Sequence, residues 1–539
     1  MIKASGSIIE VETPPSDGNA PLQGAGVQDI IARPGGGFMI VYRVSVADFG
    51  IGNSSTNLYL ATYGSDDAPD SGRISIESVL LSGQFFTGRF AETGGDGAVM
   101  YVQGTDGITL REFDGATGGL IDGPDPGVDG VTSSLTFVSD AAGLIGGGSF
   151  LLYSDDDDGD NVMRGRLFDA GNQPLAGHFD VANIAGKDVT LGRTDQLTGG
   201  DIAVTFTVAD QSETGDIYVK LMSADGDIEK DTFRINDKTA GRQYGSRVAA
   251  LDSGGFAVAW VDHDQNQSEG VKARVFDADG NALSAEFNVD TPSKDDQNGI
   301  SITAISGGRF AVLWHEEKSG GQIWAQLYDR EGGRIGSEAL ITKGSSPNYF
   351  DQSPHAIEVE NGTMLVGWTR DVKQEGILVR RFDVGAAGTD GSDVLNSKLL
   401  GRFLDGLEGD DKLIGGKSRD ELNGGLGADT ITGGKGNDLF IFIDALDSGA
   451  TANDRDEIKD FGNGKDKVDL QGIDAIAGNE DDAFDFIGKA KFHETEGELR
   501  FTAGKKFTVI EADIDGDGLA DFQIELDGRH SLSAKDFML

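Results

Sequence analysis

Residues 424–441 read GGLGADTIT GGKGNDLFI, which is one pattern of nine residues written twice in succession. Each copy has glycine at its first, second and fourth positions, aspartate at its sixth and an apolar residue at its eighth. Glycine tolerates the positive φ that tight turns require. One apolar residue per copy suits a coil in which each turn buries a single side chain. The pattern therefore predicts a narrow parallel β-roll.

The same frame of nine residues continues upstream of residue 424. Six consecutive frames begin at Gly388, Ser397, Gly406, Gly415, Gly424 and Gly433. An apolar residue occupies the eighth position in every frame: Leu395, Leu404, Leu413, Leu422, Ile431 and Phe440. A flexible glycine-rich linker has no reason to keep an apolar residue at a fixed position. These residues therefore favour a folded roll over a linker.

Calcium is the ion that this arrangement of glycines and aspartates favours. Ca²⁺ takes roughly six to eight oxygen ligands in loose geometry. Turns that contain glycine can point carbonyl oxygens at an ion, and each aspartate adds a charged oxygen at a fixed place. We predict that the following residues bind calcium through carbonyl or carboxylate oxygens: Asp393, Gly406, Gly409, Asp411, Gly415, Asp420, Gly424, Gly425, Gly427, Asp429, Gly433, Gly434, Gly436 and Asp438.

This segment resembles the RTX β-roll of calcium-binding secreted proteins. In that family successive turns lie on alternate sides of the roll, and calcium lies between turns that are two frames apart. The resemblance implies three aspartate pairs at a spacing of two frames, and about three calcium ions: Asp393 with Asp411, Asp411 with Asp429, and Asp420 with Asp438. Arg402 stands where an aspartate is expected, so we expect its guanidinium to replace an ion beside Asp420. Leu407 and Ser418 replace glycines, which weakens the expectation for their frames.

Residues 446–539 resemble the C-terminal region of serralysin-type secreted proteins. Among the matching stretches are DEIKDF at 456–461 and ADIDGDGLADF at 512–522. The chain ends in Asp536-Phe537-Met538-Leu539, which resembles the uncleaved signal that type I secretion systems recognise. The resemblance implies that the type I secretion machinery is a partner and that the protein is extracellular or associated with the cell surface.

Residues 513–518 read DIDGDG, which also resembles the first half of an EF-hand loop. Ile524 stands at the twelfth position, where a bidentate glutamate is expected. Two interpretations remain open, a hairpin turn without an ion and a calcium site. The residues of that second site would be Asp513, Asp515, Asp517 and Asp521.

A longer repeat fills residues 1–385. A large side chain recurs once in each unit of this repeat, at Tyr63, Phe113, Phe168, Met222, Phe276, Tyr328 and Phe382. Earlier in each unit, residues such as Phe256, Val258 and Trp260 alternate in the manner of a strand. Seven units of about four short strands predict a seven-bladed β-propeller, with an array of β-sandwiches as the alternative. The seventh unit lacks its last strand, and we expect residues 7–12 to complete it.

The sequence therefore predicts an all-β protein in three parts. A β-propeller spans residues 1–385, an RTX β-roll spans 386–445 and a small β-rich cap spans 446–539. There are 91 acidic and 45 basic residues and no cysteine. The net charge of -46 argues against nucleic acid and anionic membranes as partners. No apolar run is long enough to span a bilayer, and no apolar signal peptide precedes the propeller.

No catalytic residue stands out. No two of the six histidines are four residues apart, so the zinc-protease motif HExxH does not occur and proteolysis is not expected. The favoured hypothesis is an extracellular adhesin or matrix protein that binds a polysaccharide or a cell-surface ligand. The alternative is a secreted polysaccharide hydrolase or lyase with its active site on the propeller, and a third hypothesis is a surface-layer scaffold.

Overall fold

The computed structural model divides into two compact units, Ile2–Phe382 and Asp383–Leu539. The residues that it describes are 2–4, 9–11, 22–33, 37–48, 53–65, 69, 74–81, 88–93, 97–104, 107–114, 137–157, 160–175, 177–184, 186–209, 215–263, 269–290, 296–316, 322–342, 354–370, 376–397, 403–462, 465–476 and 482–539. Nearly all of the regular structure in these residues is β-strand.

The first unit is built from antiparallel blades that follow one another along the chain. The first two strands are β1 (Lys3–Ala4) and β2 (Ile9–Val11). Blades one to three contain β3 (Leu22–Arg33), β4 (Gly37–Asp48), β5 (Asn53–Tyr63) and β6 (Ile74–Leu81); β7 (Gly88–Thr93), β8 (Gly97–Gly104) and β9 (Gly107–Asp114); β10 (Phe137–Gly143), β11 (Ser149–Asp157), β12 (Asp160–Phe168) and β13 (Phe179–Ala182).

Blades four and five are linked into one sheet by a single parallel bridge between Gly215 and Arg242. They contain β14 (Asp188–Gln196), β15 (Ile202–Ala209), β16 (Gly215–Met222) and β17 (Ile228–Arg234); β18 (Arg242–Ala250), β19 (Phe256–His263), β20 (Glu269–Phe276) and β21 (Phe287–Asn288). Blades six and seven contain β22 (Gln297–Ile305), β23 (Arg309–Glu316), β24 (Gln322–Tyr328) and β25 (Arg334–Leu340); β26 (His355–Glu360), β27 (Thr363–Arg370) and β28 (Gly376–Asp383).

The first strands of the blades contact one another in a closed cycle. The cycle runs β3, β7, β10, β14, β18, β22, β26 and back to β3. Only a ring of blades produces such a cycle, because an array of sandwiches would leave its first and last sheets apart. The prediction of a seven-bladed propeller is therefore confirmed, and the alternative of a sandwich array is excluded.

The N-terminal strand lies in the seventh blade. Strand β2 pairs antiparallel with β28, with Ile9 opposite Val379 and Val11 opposite Ile377, and β1 lies in the same sheet. Val11 is buried and packs with Ile377 and Val379. The pairing covers the outer edge of β28, which would otherwise present unpaired backbone groups. Residues 7, 8 and 12 of the expected strand lie outside the described residues.

The alternation of side chains along the second strand of a blade follows from burial on both faces. In β19, Phe256, Val258 and Trp260 pack with apolar residues of blade four. The intervening Ala257 and Ala259 instead face the large side chains of β23 in blade six. Large residues of one blade thus meet small residues of the next, which lets neighbouring sheets pack closely.

The second unit begins with short strands that alternate between two sheets, and neighbouring strands of the roll pair in parallel. One sheet contains β29 (Ala386–Ala387), β31 (Phe403–Asp405), β33 (Glu421–Asn423), β35 (Leu439–Ile441), β37 (Lys467–Asp469) and β42 (Phe537–Met538). The other contains β30 (Val394–Asn396), β32 (Lys412–Ile414), β34 (Thr430–Thr432), β36 (Asp456–Ile458), β41 (Phe522–Asp527), β40 (Phe507–Asp513), β39 (Glu498–Ala503) and β38 (Asp485–Gly488). A 3₁₀ turn, Ala534–Asp536, precedes β42.

Neighbouring strands in each sheet of the roll are two frames apart, as in the pairing of Leu395 with Leu413 and of Leu404 with Leu422. The apolar residues at the eighth positions from Leu404 to Phe440 are all buried, and Leu395 packs partly buried against them. Residues beyond 445 continue both sheets and share this core, since β36 pairs with β41 and β37 with β42. The roll and the residues after it therefore form one folded body.

Candidate metal centre

The aspartates at the sixth positions form ladders along the two edges of the roll. The Asp393 backbone N–H donates to Asp411 Oδ1 at 2.7 Å, and the Asp411 N–H donates to Asp429 Oδ1 at 2.7 Å. On the other edge, the Asp420 N–H donates to Asp438 Oδ1 at 2.9 Å. The structure thus brings together the three pairs that the spacing of two frames predicts.

Both ladders continue past the last predicted frame. The Asp429 N–H donates to Asp456 Oδ1, and the Asp438 N–H donates to Asp466 Oδ1, each at 2.9 Å. Sequence reasoning missed Asp456 and Asp466 because the intervening residues interrupt the count of nine. A signal was present, since each is followed two positions later by a buried apolar residue, Ile458 and Val468. We call Asp393, Asp411, Asp429 and Asp456 the first ladder, and Asp420, Asp438 and Asp466 the second ladder.

The outer carboxylate oxygens of Asp411, Asp429 and Asp456 in the first ladder are buried. Asp393 differs, because its Oδ2 accepts hydrogen bonds from the backbone N–H and the hydroxyl of Thr389, each at 2.7 Å. Among the described residues, no hydrogen-bond donor reaches Oδ2 of Asp411, Asp429 or Asp456. These side chains are at most 3% exposed. A buried anionic oxygen without a partner is costly unless a cation or a proton neutralises it. The first ladder therefore has the chemistry of a cation site, and hard oxygen donors suit Ca²⁺.

Glycine is required where adjacent turns approach one another. A Cβ at Gly406 would overlap both the carbonyl oxygen of Gly424 and Asp411 Oδ2. The same holds at Gly415 against the carbonyl oxygen of Gly433. The space that a side chain would fill is lined by carbonyl and carboxylate oxygens, which is the donor set that calcium uses.

The remaining predicted glycines form the turns themselves. A Cβ at Gly425, Gly427 or Gly434 would overlap a backbone carbonyl oxygen of the turn two frames earlier. Gly409 has a φ of 116° and Gly436 lies against Asp438. Leu407, which replaces a glycine, keeps the left-handed conformation with a φ of 76°. The turn of frame 406 therefore retains its shape despite the substitution, at the cost of local backbone strain.

Burial and mutual repulsion raise the pKa values of the ladder carboxyls. Burial raises the pKa of Asp411 to about 6, of Asp429 to about 7 and of Asp438 to about 6, and neighbouring carboxylates add to each shift. Burial and the charge of Asp429 raise the pKa of Asp456 well above its ordinary value. Without a cation these groups are held in a fold that disfavours their charge.

The loop between β35 and β36 supplies another carboxylate that the sequence analysis missed. Asp447 is buried, and its Oδ2 accepts hydrogen bonds from the backbone N–H groups of Ile443 at 2.7 Å and Asp444 at 3.0 Å. Burial raises the pKa of Asp447 to about 6, and its charge raises the pKa of both Asp429 and Asp456. Negative charge is therefore concentrated at this end of the first ladder.

Asp420, the first residue of the second ladder, differs from the buried aspartates of the first ladder. Asp420 is fully buried, its Oδ1 accepts from the Ser397 hydroxyl at 3.1 Å and its Oδ2 accepts from the Gly416 N–H at 2.7 Å. Both oxygens of this carboxylate thus have protein donors. Arg402, which we expected to stand beside Asp420, lies outside the described residues.

The loop between β40 and β41 gathers three of its four predicted aspartates. Oxygens of Asp513, Asp515 and Asp521 lie within 4.8 Å of one another. Asp513 accepts hydrogen bonds from the N–H groups of Gly516 at 2.8 Å and Gly518 at 2.9 Å. Asp517 is not in this group, and its Oδ1 accepts from the Leu519 N–H at 2.8 Å. The loop is a hairpin connection between β40 and β41 and also a cluster of carboxylates, and a calcium site in it stays a prediction.

Residues 391–539 match the family described as peptidase M10 serralysin C terminal. This serralysin-type region is less than half of the chain and lies within the second unit. No curated protein sequence matches the chain. Among the described residues, no helix is long and apolar enough to cross a bilayer.

Solved structures similar to the chain cover part of it. A protein of unknown function from Dyadobacter fermentans is 11% identical over 71% of this chain and 99% of its own, with a TM-score of 0.43. An ulvan lyase from a new family of polysaccharide lyases is 11% identical over 67% of this chain and 94% of its own, with a TM-score of 0.41. The AlgE6R3 subunit of the Azotobacter vinelandii mannuronan C5-epimerase is 26% identical over 28% of this chain and 80% of its own, with a TM-score of 0.22.

Proposed function

We propose that the chain is a secreted protein whose second unit binds calcium and folds on binding it, while the propeller acts as an extracellular binding module. The observation that carries the calcium assignment is the row of buried, donor-free Oδ2 atoms in the first ladder. A cation between turns would neutralise these oxygens and would also be coordinated by the carbonyl oxygens that line the glycine positions.

The ladders offer five successive aspartate pairs as calcium sites, two more than the sequence analysis counted. Each ion would lie between two turns of one edge and bind a carboxylate from each. The hairpin cluster of Asp513, Asp515 and Asp521 is a further candidate. Since Asp411, Asp429 and Asp438 each belong to two pairs, the ions are expected to bind cooperatively.

Calcium binding of this kind would couple folding to export. At low calcium inside the cell, the ladder carboxylates repel one another and the second unit stays unfolded. Outside the cell, calcium at roughly millimolar concentration would neutralise them and drive folding. The C-terminal residues support this order, because Phe537 is buried and the Leu470 N–H donates to the Met538 carbonyl at 2.9 Å. A type I signal in these residues would be accessible only before folding.

Calorimetry and circular dichroism of the full chain test the calcium assignment. Titration of chelated protein with Ca²⁺ should release heat and produce a gain of β-structure at the same calcium concentration. Magnesium at equal concentration is the control, because its small octahedral shell suits this site poorly. Saturable calcium binding without a change in structure would remove the coupling to folding, and no binding at millimolar calcium would remove the assignment.

The propeller is proposed to bind a polysaccharide or another cell-surface ligand as an adhesin or matrix module. Its support is a cavity at the centre of the ring, where the first strands of several blades converge. Incubation with polysaccharide followed by measurement of released reducing ends separates binding from hydrolysis or cleavage. Retention on the polysaccharide without release favours the binding module, and release favours the enzyme.

A further inference from the structure

The turns on the two edges of the roll carry charges of opposite sign. We call the edge that carries the first ladder the first edge, and the edge that carries the second ladder the second edge. Three turns of the first edge each expose an aspartate, and these form the acidic row: Asp390, Asp410 and Asp444. Three turns of the second edge each expose a lysine, and these form the lysine row: Lys417, Lys435 and Lys465. Both rows follow the repeat of the roll.

Successive turns of the second edge lie against each other, which brings the members of the lysine row close together. The Lys435 N–H donates to the Gly416 carbonyl at 3.0 Å, and the Lys465 N–H donates to Asn437 Oδ1 at 3.1 Å. Neighbouring strands of a sheet are about 4.8 Å apart, and the turns that connect them keep this spacing. Like charges at such a distance repel one another. None of the three lysines forms an ion pair with a residue that the structure describes, so a partner with negative charge would stabilise the second edge.

Hydrogen bonds hold two carboxylates of the acidic row in place. Asp410 Oδ1 accepts from the Ala428 N–H at 3.0 Å, and Asp444 Oδ1 accepts from the Leu446 N–H at 2.8 Å. Each bond uses one carboxylate oxygen and restricts the side chain, which reduces the entropy lost when the other oxygen binds a cation. Glu408 is exposed in the turn of Asp410 and adds negative charge. The first edge is therefore preorganised to bind a row of cations.

Exposed apolar side chains accompany the acidic row but not the lysine row. Leu426 is 37% exposed and Leu446 is 74% exposed, and both lie in turns of the first edge. In the second-edge turns that the structure describes, no large apolar side chain is exposed. A lysine can lay its aliphatic stem on an apolar surface while its ammonium group reaches a carboxylate. The lysine row therefore complements both the charge and the apolar surface of the first edge.

The two edges lie on opposite sides of one roll, so the two rows can meet only between copies of the chain. We propose that the second unit associates with further copies of itself, with the first edge of one roll against the second edge of the next. A second copy fits better than an anionic polysaccharide, because its acidic row has the spacing of the lysine row and because a polyanion would leave Leu426 and Leu446 exposed. Such a contact is heterologous, and contacts on opposite sides of one unit generate open chains. This assembly goes beyond the proposed function and would join secreted binding modules into a matrix.

Calcium and salt are expected to act on this contact in opposite directions. The roll has its edges only when the second unit is folded, and bound calcium also cancels part of the net charge of -46 that makes copies repel one another. Exposed ion pairs are individually weak and are screened by salt, since the screening length falls from about 10 Å at 0.1 M to about 3 Å at 1 M. Association should therefore require calcium, increase with protein concentration and disappear in concentrated salt.

Sedimentation velocity of the full chain in calcium tests the inference. In about 0.1 M sodium chloride, the mean sedimentation coefficient should rise with protein concentration without levelling off at a dimer, and in about 1 M it should keep the value of a monomer. A monomer at every concentration, or a dimer that grows no further, would overturn the inference. A monomer that binds heparin through Lys417 and Lys435 would also overturn it and would assign the second edge to a polysaccharide.

Charge reversal on each edge tests which surfaces meet. Lys417→Glu with Lys435→Glu makes most of the lysine row acidic, and Asp390→Lys with Asp410→Lys makes most of the acidic row basic. Each double variant alone has like charges at most positions of both rows and should stay monomeric where the unchanged protein associates. An equimolar mixture of the two should associate again, because the edges of different copies are then complementary. Association of either variant alone, or failure of the mixture, would contradict the proposed contact.

Lys412→Glu with Lys467→Glu is the matched control. It changes the net charge by the same amount as the double variant of the lysine row. Lys412 and Lys467 are exposed in strands of the roll and lie outside both edges. The control should associate like the unchanged protein. Equal loss in the control would show that net charge rather than the edges governs association, and the inference would fall.

The calcium-induced change in circular dichroism is followed in the same samples and confirms that each variant has folded. If loss of the hydrogen bond from Ala428 unfolds the double variant with Asp410→Lys, Asp390→Lys alone takes its place and should weaken association severalfold. If calcium folds the second unit and the protein stays monomeric, the assembly inference fails while the calcium assignment stands. If the protein associates through its edges and shows no structural response to calcium, the reverse holds.

Discussion

The propeller and the roll are both built from repeats, but the repeats bury different kinds of side chain. In β19 of the propeller, both faces of the strand are covered by apolar side chains of the neighbouring blades. In the roll, each of the four frames from Gly406 onward buries one apolar residue, such as Leu413, and one aspartate, such as Asp411. The propeller is therefore expected to be stable through packing alone, whereas the roll is expected to be stable only when a cation neutralises its ladders.

Removal of calcium should reveal the difference in stability between the two units more clearly than any substitution. An ion present at roughly 100 to 1,000 times its dissociation constant contributes about 3 to 4 kcal/mol per site. Chelation of the full chain should therefore unfold the roll and leave the propeller folded. Hydrogen exchange measured by mass spectrometry checks this: amides of β32 to β35 should lose protection, and amides of β19 and β23 should keep it. Loss of protection in both units together would contradict the comparison.

Replacement of Trp260 by alanine should destabilise the propeller by roughly 3 to 5 kcal/mol, because a large buried side chain leaves a cavity between blades. The loss should be the same with calcium or chelator. Thermal unfolding of the propeller measures it. Trp324→Ala is the control, since Trp324 is half-buried and its indole N–H donates to Glu316 at 3.1 Å. A calcium-dependent loss for Trp260→Ala would show that packing is not the whole source of propeller stability.

Replacement of Gly427 by alanine should destabilise the calcium-bound roll by roughly 2 to 4 kcal/mol, through backbone strain and overlap with the Gly409 carbonyl oxygen. Gly427 has a φ of 141°. Gly462→Ala separates the two causes, because Gly462 has a φ of 91° with open space where the Cβ would lie. Denaturant unfolding in calcium measures both. Equal losses at the two positions would mean that close approach of the turns contributes little.

The effect of replacing Asp429 by asparagine on the stability of the roll should change sign between calcium and chelator. In calcium it removes a ligand shared by two pairs and should raise the calcium midpoint of folding about tenfold, a change of about 1.4 kcal/mol. In chelator it removes a repelling charge and should stabilise the roll. Asp527→Asn is the control, because Asp527 is exposed on β41. Destabilisation by Asp429→Asn in both conditions would indicate a structural role without a cation.

The smallest expected effect is that of pH on the chelated protein. The pKa values of Asp411, Asp429 and Asp438 are raised to about 6, 7 and 6, above the ordinary value of 3.8. Groups with raised pKa values contribute stability that is complete below the ordinary pKa and is lost as pH rises through the folded pKa. The chelated roll should therefore be more stable at pH 5 than at pH 8. In limiting calcium the trend should reverse, because protons compete with the ion; circular dichroism at both pH values checks this.

The two repeats, one of nine residues and one the length of a blade, allowed much of the fold to be predicted. The eighth-position residues from Leu404 to Phe440 are buried because a narrow roll has room for one inward side chain per turn. The pairing of Asp411 with Asp429 follows from the same register. The continuation to Asp456 was not predicted, because the residues around Asp447 break the period while the sheet continues across them.

The sequence by itself determined the two repeats, the burial of their apolar positions and the aspartate pairs that are two frames apart. These are local properties, because regular strand register and glycine turns place residues with the same spacing in the sequence at equivalent positions in the structure. Only the tertiary structure decided which residues meet in the propeller cavity and how the ladders end. Strands β3 and β26 contact each other because a closed ring joins the first and last blades, and no spacing along the chain expresses that closure.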